Sequence, residues 1–335
     1  MNITTTDYHT AGEPFRIVTG GLPPVPGDSV AERRAIAIGA GGTATSPRAS
    51  ALDDVRRLLT REPRGHAGMY GGFVVAADDG EADFGVLFWH KDGYSTACGH
   101  GTMALGVWAV DTGRVAAPDD GTALVRIDVP SGRVTATVHR RGGRSTAVTF
   151  RNVPTRVLAR KVELATSRGA VTVDLAHSGA VYASLPAAAL GLSVVPERLP
   201  ELTAAGREIR AALDGHPALA AYRDGVYGVI LYDELPDTPS GPHQRNVTVF
   251  ADGQIDRSPC GSGTSARLAL LADEGVLGPA QTLRHDSVIG TVFTGRVRER
   301  VGDGVVTEVT GTAHRTGEHR FVLDGDDTLG AGFLL

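Results

Sequence analysis

The sequence predicts an α/β protein built from two similar halves, and three observations predict it. The five-residue pattern Cys-Gly-X-Gly-Thr occurs twice, at Cys98–Thr102 and Cys260–Thr264, and holds the only two cysteines of the chain. Each copy sits in the same order of elements: a strand candidate and an Asp-Gly turn before it, an apolar helix candidate after it, and a glycine fifteen residues beyond the cysteine, at Gly113 and Gly275. A length of 335 residues suits two domains, and 41% hydrophobic with 21% charged residues describes a chain able to bury two cores.

Taken in order, GAGGTATSPRAS (39–50) reads as a loop leading into a helix over ALDDVRRLLT (51–60). FGVLFWH (84–90) is rich in strand formers and is followed by the turn Asp92-Gly93. HGTMALGVWAV then forms the first apolar helix, and VRIDVPSGRVTATV (125–138) returns to strand. The glycine-bearing HRRGGRS (139–145) marks the seam, placing one half at 1–142, completed by a C-terminal strand from 319–335, and the other at 143–318. Strand TAVTFRNVP opens the second half and PERLPELTAAGREIRAAL (196–213) reads as a helix. DELPDTPSGPHQRN (233–246) is rich in Pro and Gly and reads as a loop. NVTVF (246–250), Asp252-Gly253, the second cysteine helix and SVIGTVFTGRV (287–297) then repeat the first half.

Composition narrows the partners. With 33 Lys plus Arg against 38 Asp plus Glu the net charge is −5, which gives no reason to expect nucleic acid or an anionic membrane. No run is long enough to span a bilayer, and MNITTTDYHT shows neither the basic nor the apolar region of a signal peptide, so the expected location is cytoplasmic. In that setting the two cysteines are expected as thiols.

A thiol just before a helix has a specific chemistry. The first amides of a helix have no internal acceptor and, with the helix dipole, favour negative charge. Such a site lowers a thiol's pKa and grips a carboxylate. Two such ends acting on one small α-amino acid would hold its carboxylate and place a sulfur on each side of the α-carbon. One sulfur as thiolate removes the α-proton, the other as thiol returns a proton to the opposite face, and no cofactor is needed. A metal reading has little support: Cys98 and His100 are two apart, but no CxxC or HExxH accompanies them. Lys91 has no phosphate cup beside it to suggest pyridoxal phosphate.

DYHTAGEPFRIV (7–18), EPRGHAGMYGG (62–72), STACGHGTMALG (95–106), DRSPCGSGTSARLAL (256–270), GTVFTGRV (290–297) and the ending GDDTLGAGFLL resemble the proline racemase family. The resemblance implies two pseudo-symmetric, diaminopimelate-epimerase-like domains, each a mixed β-sheet wrapped around a central helix, with the active site in the cleft between them. It implies Cys98 and Cys260 as the acid/base pair, the amides of Gly99, His100, Gly261 and Ser262 as carboxylate donors, and His100 and Asp256 near the substrate's ring nitrogen. It also implies proline or a hydroxyproline as substrate, no cofactor, no metal, and room for a homodimer. The chain departs from the family's HTGGEP at Ala11, from its DIAxGG at His177-Ser178-Gly179, and by an insertion at GAGGTATSPR.

Within that family the racemases and 4-hydroxyproline 2-epimerases keep both cysteines, whereas trans-3-hydroxy-L-proline dehydratases carry Thr at the second position. Cys260 therefore favours inversion of proline or 4-hydroxyproline. The stretches EPRGHAGMYGG and GVLFWHKDGYSTACGHG are closer to the dehydratase branch. A non-catalytic imino-acid-binding protein is a remoter alternative that leaves the two thiols without a purpose. Glu13 and Arg64 are expected as a structural ion pair or cap, His66 and His90 as structural histidines, and Arg267 as a solvated or packing residue.

Overall fold

The structure is a computed structural model that describes residues 2–39 and 51–335; the loop expected over 39–50 lies outside them from residue 40 on. The chain divides into two compact units, Met1–Val148 with Thr312–Leu335, and Thr149–Gly311. It crosses from one to the other within the strand Arg144–Arg151, just after the glycine turn in which sequence reading set the seam.

The first unit is a mixed sheet around one helix. Ala313–Val322 pairs antiparallel with Asn2–Thr10, which pairs antiparallel with Glu13–Gly20. The sheet continues with Tyr70–Val75 (parallel), Phe84–His90 (antiparallel), Gly121–Val129 (parallel) and Gly132–Arg141 (antiparallel). The C-terminal strand thus begins at Ala313, earlier than the 319 read from sequence. The helix Gly99–Asp111 touches strands near both ends of that series, so the sheet curls around it.

The second unit repeats the pairing. Arg156–Thr166, Gly169–His177 and Val181–Pro186 are joined antiparallel, then follow Val226–Thr238 (parallel), Gly241–Phe250 (antiparallel), Leu283–Ser287 (parallel), Val292–Val301 and Gly304–Gly311 (both antiparallel). The helix Gly261–Asp273 again touches strands from both ends. The same alternation of senses in both units is the structural form of the sequence repeat.

Both central helices are buried along one entire run, Gly99–Val110 and Gly261–Ala272. A helix that is apolar all round has no solvent face and belongs inside a wrapped sheet. Each stops where the sequence places glycine, with Gly113 at φ 71° and Gly275 at φ 76°, a left-handed conformation that glycine adopts without a Cβ clash. The one charged residue within these two runs is Arg267. It is 2% exposed, with its guanidinium 3.9 Å from the Tyr232 ring centroid and Nε donating to Gln244 Oε1 at 3.1 Å, so it is a packing residue.

The expected loop 233–246 is instead a β-hairpin, Val226–Thr238 against Gly241–Phe250. Its prolines are accommodated at the irregular end of the ladder: Pro236 and Pro242 lie in the register shift between the Leu235–His243 and Thr238–Gly241 pairs, and Pro239 lies in the turn. Among the described residues no helix is long and apolar enough to cross a membrane.

Candidate active site

Each cysteine caps its helix with sulfur. Cys98 has an extended backbone (φ −157°, ψ 105°), and its Sγ accepts the Gly101 amide at 3.2 Å. This is the place where a serine or aspartate oxygen serves in ordinary N-caps. Thr102 donates to the Cys98 carbonyl through its amide at 3.0 Å and its hydroxyl at 2.8 Å. Gly101 has no space for a side chain, since a Cβ would stand 2.8 Å from Cys98 Sγ and 2.4 Å from Phe15 Cε2.

The His100 ring lies against the Cys98 sulfur, with Nδ1 at 3.4 Å and Nε2 at 3.7 Å. Its orientation is set by edge-on contacts with Tyr70 (4.9 Å) and Phe15 (5.7 Å). The Tyr70 hydroxyl is tied to Ser95 Oγ, and Thr10 Oγ1 donates to the His100 carbonyl at 2.9 Å.

Cys260 repeats the cap: its Sγ accepts the Gly263 amide at 3.3 Å, and a Cβ on Gly263 would stand 2.9 Å from that sulfur. Its backbone differs. With φ 63° and ψ 106° it occupies a region costing ~1–3 kcal/mol for a residue with a side chain. Thr264, the counterpart of Thr102, sends its hydroxyl to the Pro259 carbonyl at 3.2 Å. The Tyr182 hydroxyl lies 3.9 Å from the sulfur.

Asp256 reaches Cys260 through Ser258. Asp256 Oδ1 accepts the Ser258 amide at 2.8 Å and hydroxyl at 2.7 Å, and Ser258 Oγ accepts the Cys260 amide at 3.1 Å. Asp256 is buried, and loss of water raises its carboxyl to about 6 against the Ser258 donors that oppose it. The Cys260 thiol is pushed well above its ordinary value, first by burial and then by the Asp256 charge, with the Gly263 amide opposing. The expectation that a helix end lowers the thiol pKa is therefore corrected for Cys260: the Gly263 amide, with the Thr248 and Tyr182 side chains, does not offset burial.

The remaining predicted residues fall on the same two helix starts. Gly99 and His100 are the first two residues of one helix, Gly261 and Ser262 of the other, where amides have no intrahelical acceptor. Ser262 is 1% exposed, its carbonyl accepts Ser178 Oγ at 2.9 Å, and its own Oγ has no hydrogen-bond partner among the described residues. A buried hydroxyl in that condition is suited to a ligand's polar atom.

Cys98, Gly99 and His100 are thus assembled in one unit, and Asp256, Cys260, Gly261 and Ser262 in the other. Neither cysteine is in a disulfide. Among the described residues no three His, Cys, Asp or Glu gather as metal ligands.

A family model described as proline racemase matches residues 5–334. The chain belongs to the proline racemase family. It is 42% identical to a trans-3-hydroxy-L-proline dehydratase of Burkholderia ambifaria, over 100% of this chain and 98% of the relative. It is 40% identical to a 3-hydroxyproline 2-epimerase of Burkholderia multivorans, with the same coverage. Among solved structures, a hydroxyproline epimerase from Agrobacterium vitis with bound trans-4-hydroxy-L-proline is 29% identical, with a TM-score of 0.89 over 100% of this chain and 95% of that one.

Outside the cysteine motifs of this family member, the expected Glu13–Arg64 pairing is corrected. Arg64 pairs with Asp327 at 2.8 Å and donates to the carbonyls of Val322 and Gly330, because the C-terminal segment lies beside it. His66 and His90 each use Nδ1 to accept a local amide, of Gly68 and Asp92, and Lys91 pairs with Asp92. Sequence reading missed Ser258, Tyr182 and Tyr70. The Asp-X-Ser spacing at 256–258 is a local turn signal that marks the first; the others come from distant strands and leave no trace near a cysteine.

Proposed function

We propose that this chain inverts the α-carbon of a cyclic imino acid without a cofactor, using Cys98 and Cys260 as the two proton carriers. The observation that supports this is the presence of a buried thiol at both helix starts, each held by the amide three residues on. An inversion requires acid and base on opposite faces; an elimination requires only one base at the α-carbon.

Both close relatives are named for 3-hydroxyproline, so 3-hydroxyproline stands first among candidate substrates, ahead of 4-hydroxyproline and proline. The amides of Gly99, His100, Gly261 and Ser262 would hold the carboxylate and stabilise the enolate-like charge that develops on it. Asp256, ionised at neutral pH with its carboxyl at about 6, would face the substrate ammonium. The two sulfurs exchange the roles of base and acid with the direction of inversion, and burial favours the thiol form of Cys260. The chemistry requires both sulfurs to reach one α-carbon.

Dehydration of trans-3-hydroxy-L-proline is the second reading, supported by the names of the relatives. In it Cys98 or Cys260 alone takes the α-proton, the 3-hydroxyl leaves with a proton as water, and the resulting enamine tautomerises to the cyclic imine. Incubating trans-3-hydroxy-L-proline, trans-4-hydroxy-L-proline and L-proline in D2O with chiral analysis separates the two. Inversion gives an α-deuterated epimer and is lost in both Cys98→Ser and Cys260→Ser; elimination gives a cyclic imine with no epimer. Absence of both an α-deuterated epimer and a cyclic imine would remove both readings.

A further inference from the structure

The two copies of Cys-Gly-X-Gly-Thr use their threonine differently. Thr102 bonds the carbonyl of the cysteine itself, and Cys98 keeps an ordinary extended backbone. Both threonine amides donate to the carbonyl of their own cysteine, but the Thr264 hydroxyl bonds the carbonyl before the cysteine, and Cys260 is held at positive φ. The Pro259 carbonyl also accepts Asn246 Nδ2 at 3.1 Å, and the Cys260 amide is held by Ser258, so the Pro259–Cys260 peptide is pinned at both its oxygen and its nitrogen.

One further group completes this set. His285, on the strand Leu283–Ser287, is fully buried and places Nδ1 2.8 Å from Thr264 Oγ1. A hydroxyl has a single proton. Thr264 spends it on the Pro259 carbonyl, which can only accept, so Nδ1 of His285 is the donor to Thr264. Nε2 then carries no proton, in keeping with its lack of a hydrogen-bond partner among the described residues. Burial lowers this imidazole to about 3, so it stays neutral and its tautomer does not change over the working range.

We propose that His285 is a positioning residue for Cys260: its Nδ1–H orients the Thr264 hydroxyl, which with Asn246 clamps the Pro259 carbonyl and keeps Cys260 in the backbone conformation that aims its sulfur. The relay serves the second sulfur alone, since Cys98 is unstrained and Thr102 closes on the Cys98 carbonyl. The catalytic consequence rests on the two-thiol reading above; the geometric claim does not.

The test compares Thr264→Val, which keeps the shape and loses the relay, with His285→Leu and His285→Asn, whose Nδ2 reaches where Nδ1 stands. Iodoacetamide labelling of each cysteine, followed by peptide mass spectrometry, reads geometry without any substrate. Thr264→Val and His285→Leu shift the Cys260 labelling rate about fivefold or more and leave the Cys98 rate unchanged; His285→Asn stays near wild type. With substrate, the same two variants lower kcat for inversion about tenfold with KM little altered, and Asn rescues. Unchanged Cys260 labelling in folded Thr264→Val, a parallel change at Cys98, or failure of His285→Asn to rescue would each overturn the proposal. An enzyme with no inversion activity at all, but with labelling that follows this pattern, would remove the two-thiol reading and leave the relay standing.

Discussion

The sulfur of Cys98 lies 3.4 Å from Nδ1 of His100, while the matching position of the second motif is Ser262, whose hydroxyl has no partner among the described residues. The duplicated motif has therefore become two unlike sites. In the first an imidazole lies against the sulfur. In the second a carboxylate, relayed through Ser258, sits beside the thiol and opposes its ionisation.

Replacing His100 by Leu removes a polar partner of Cys98 and keeps a buried apolar side chain. Alkylation of Cys98 at pH 7 slows by about fivefold, the scale of one hydrogen bond, with Cys260 unaffected. Labelling kinetics resolved by site measure it; equal rates in variant and wild type would show that the ring only packs.

Gly101→Ala and Gly263→Ala each place a Cβ inside 3 Å of a cysteine sulfur. Both variants lose at least about tenfold in turnover, because the sulfur must leave its cap position. Gly101→Ala also destabilises the fold by about 1–3 kcal/mol through its collision with Phe15, seen as a lower urea midpoint.

Asp256 makes stability depend on pH. Its folded value, about 6, lies above the unfolded 3.8, so the folded state holds the proton more tightly. The favourable contribution is complete below pH ~4 and is lost as pH rises through 6, a swing of roughly 3 kcal/mol at 1.36 kcal/mol for each pH unit. Asp256→Asn keeps an oxygen for Ser258 and has no charge to desolvate. Urea unfolding at pH 8 finds it more stable than wild type, and at pH 4 the difference disappears. The same variant alkylates faster at Cys260 and loses turnover. An equal stability difference at both pH values would contradict this account.

Ala11 stands at φ 50° in the turn between Asn2–Thr10 and Glu13–Gly20, where the family motif has glycine. Ala11→Gly relieves a backbone costing ~1–2 kcal/mol and returns part of that as unfolded-chain entropy. Thermal unfolding gives a net gain of about 0.5–1 kcal/mol; a loss would mean that the Ala11 methyl packs better than the strain costs.

Much of the fold was legible because its signals are local. The runs FGVLFWH and NVTVF, the two apolar helices and their closing glycines all report on neighbours a few residues away, and the structure has them as Phe84–His90, Gly241–Phe250, Gly99–Asp111 and Gly261–Asp273. The hairpin over 233–246 was misread because proline and glycine signal a loop wherever they cluster, and only the partner strand shows that Pro236 falls in a bulge. Arg64 was assigned the wrong partner for the same reason: Asp327 is 263 residues away.

The order of residues alone determined that there are two cysteines, that each begins an apolar helix in a repeated unit, and that the chain joins the proline racemase family. These are patterns of composition and spacing, which survive without coordinates. Tertiary structure decided what each thiol experiences. Burial, the Asp256 carboxylate and the strained φ of Cys260 come from strands and turns that meet only on folding, and desolvation and Coulomb energies depend on distance in space rather than along the chain.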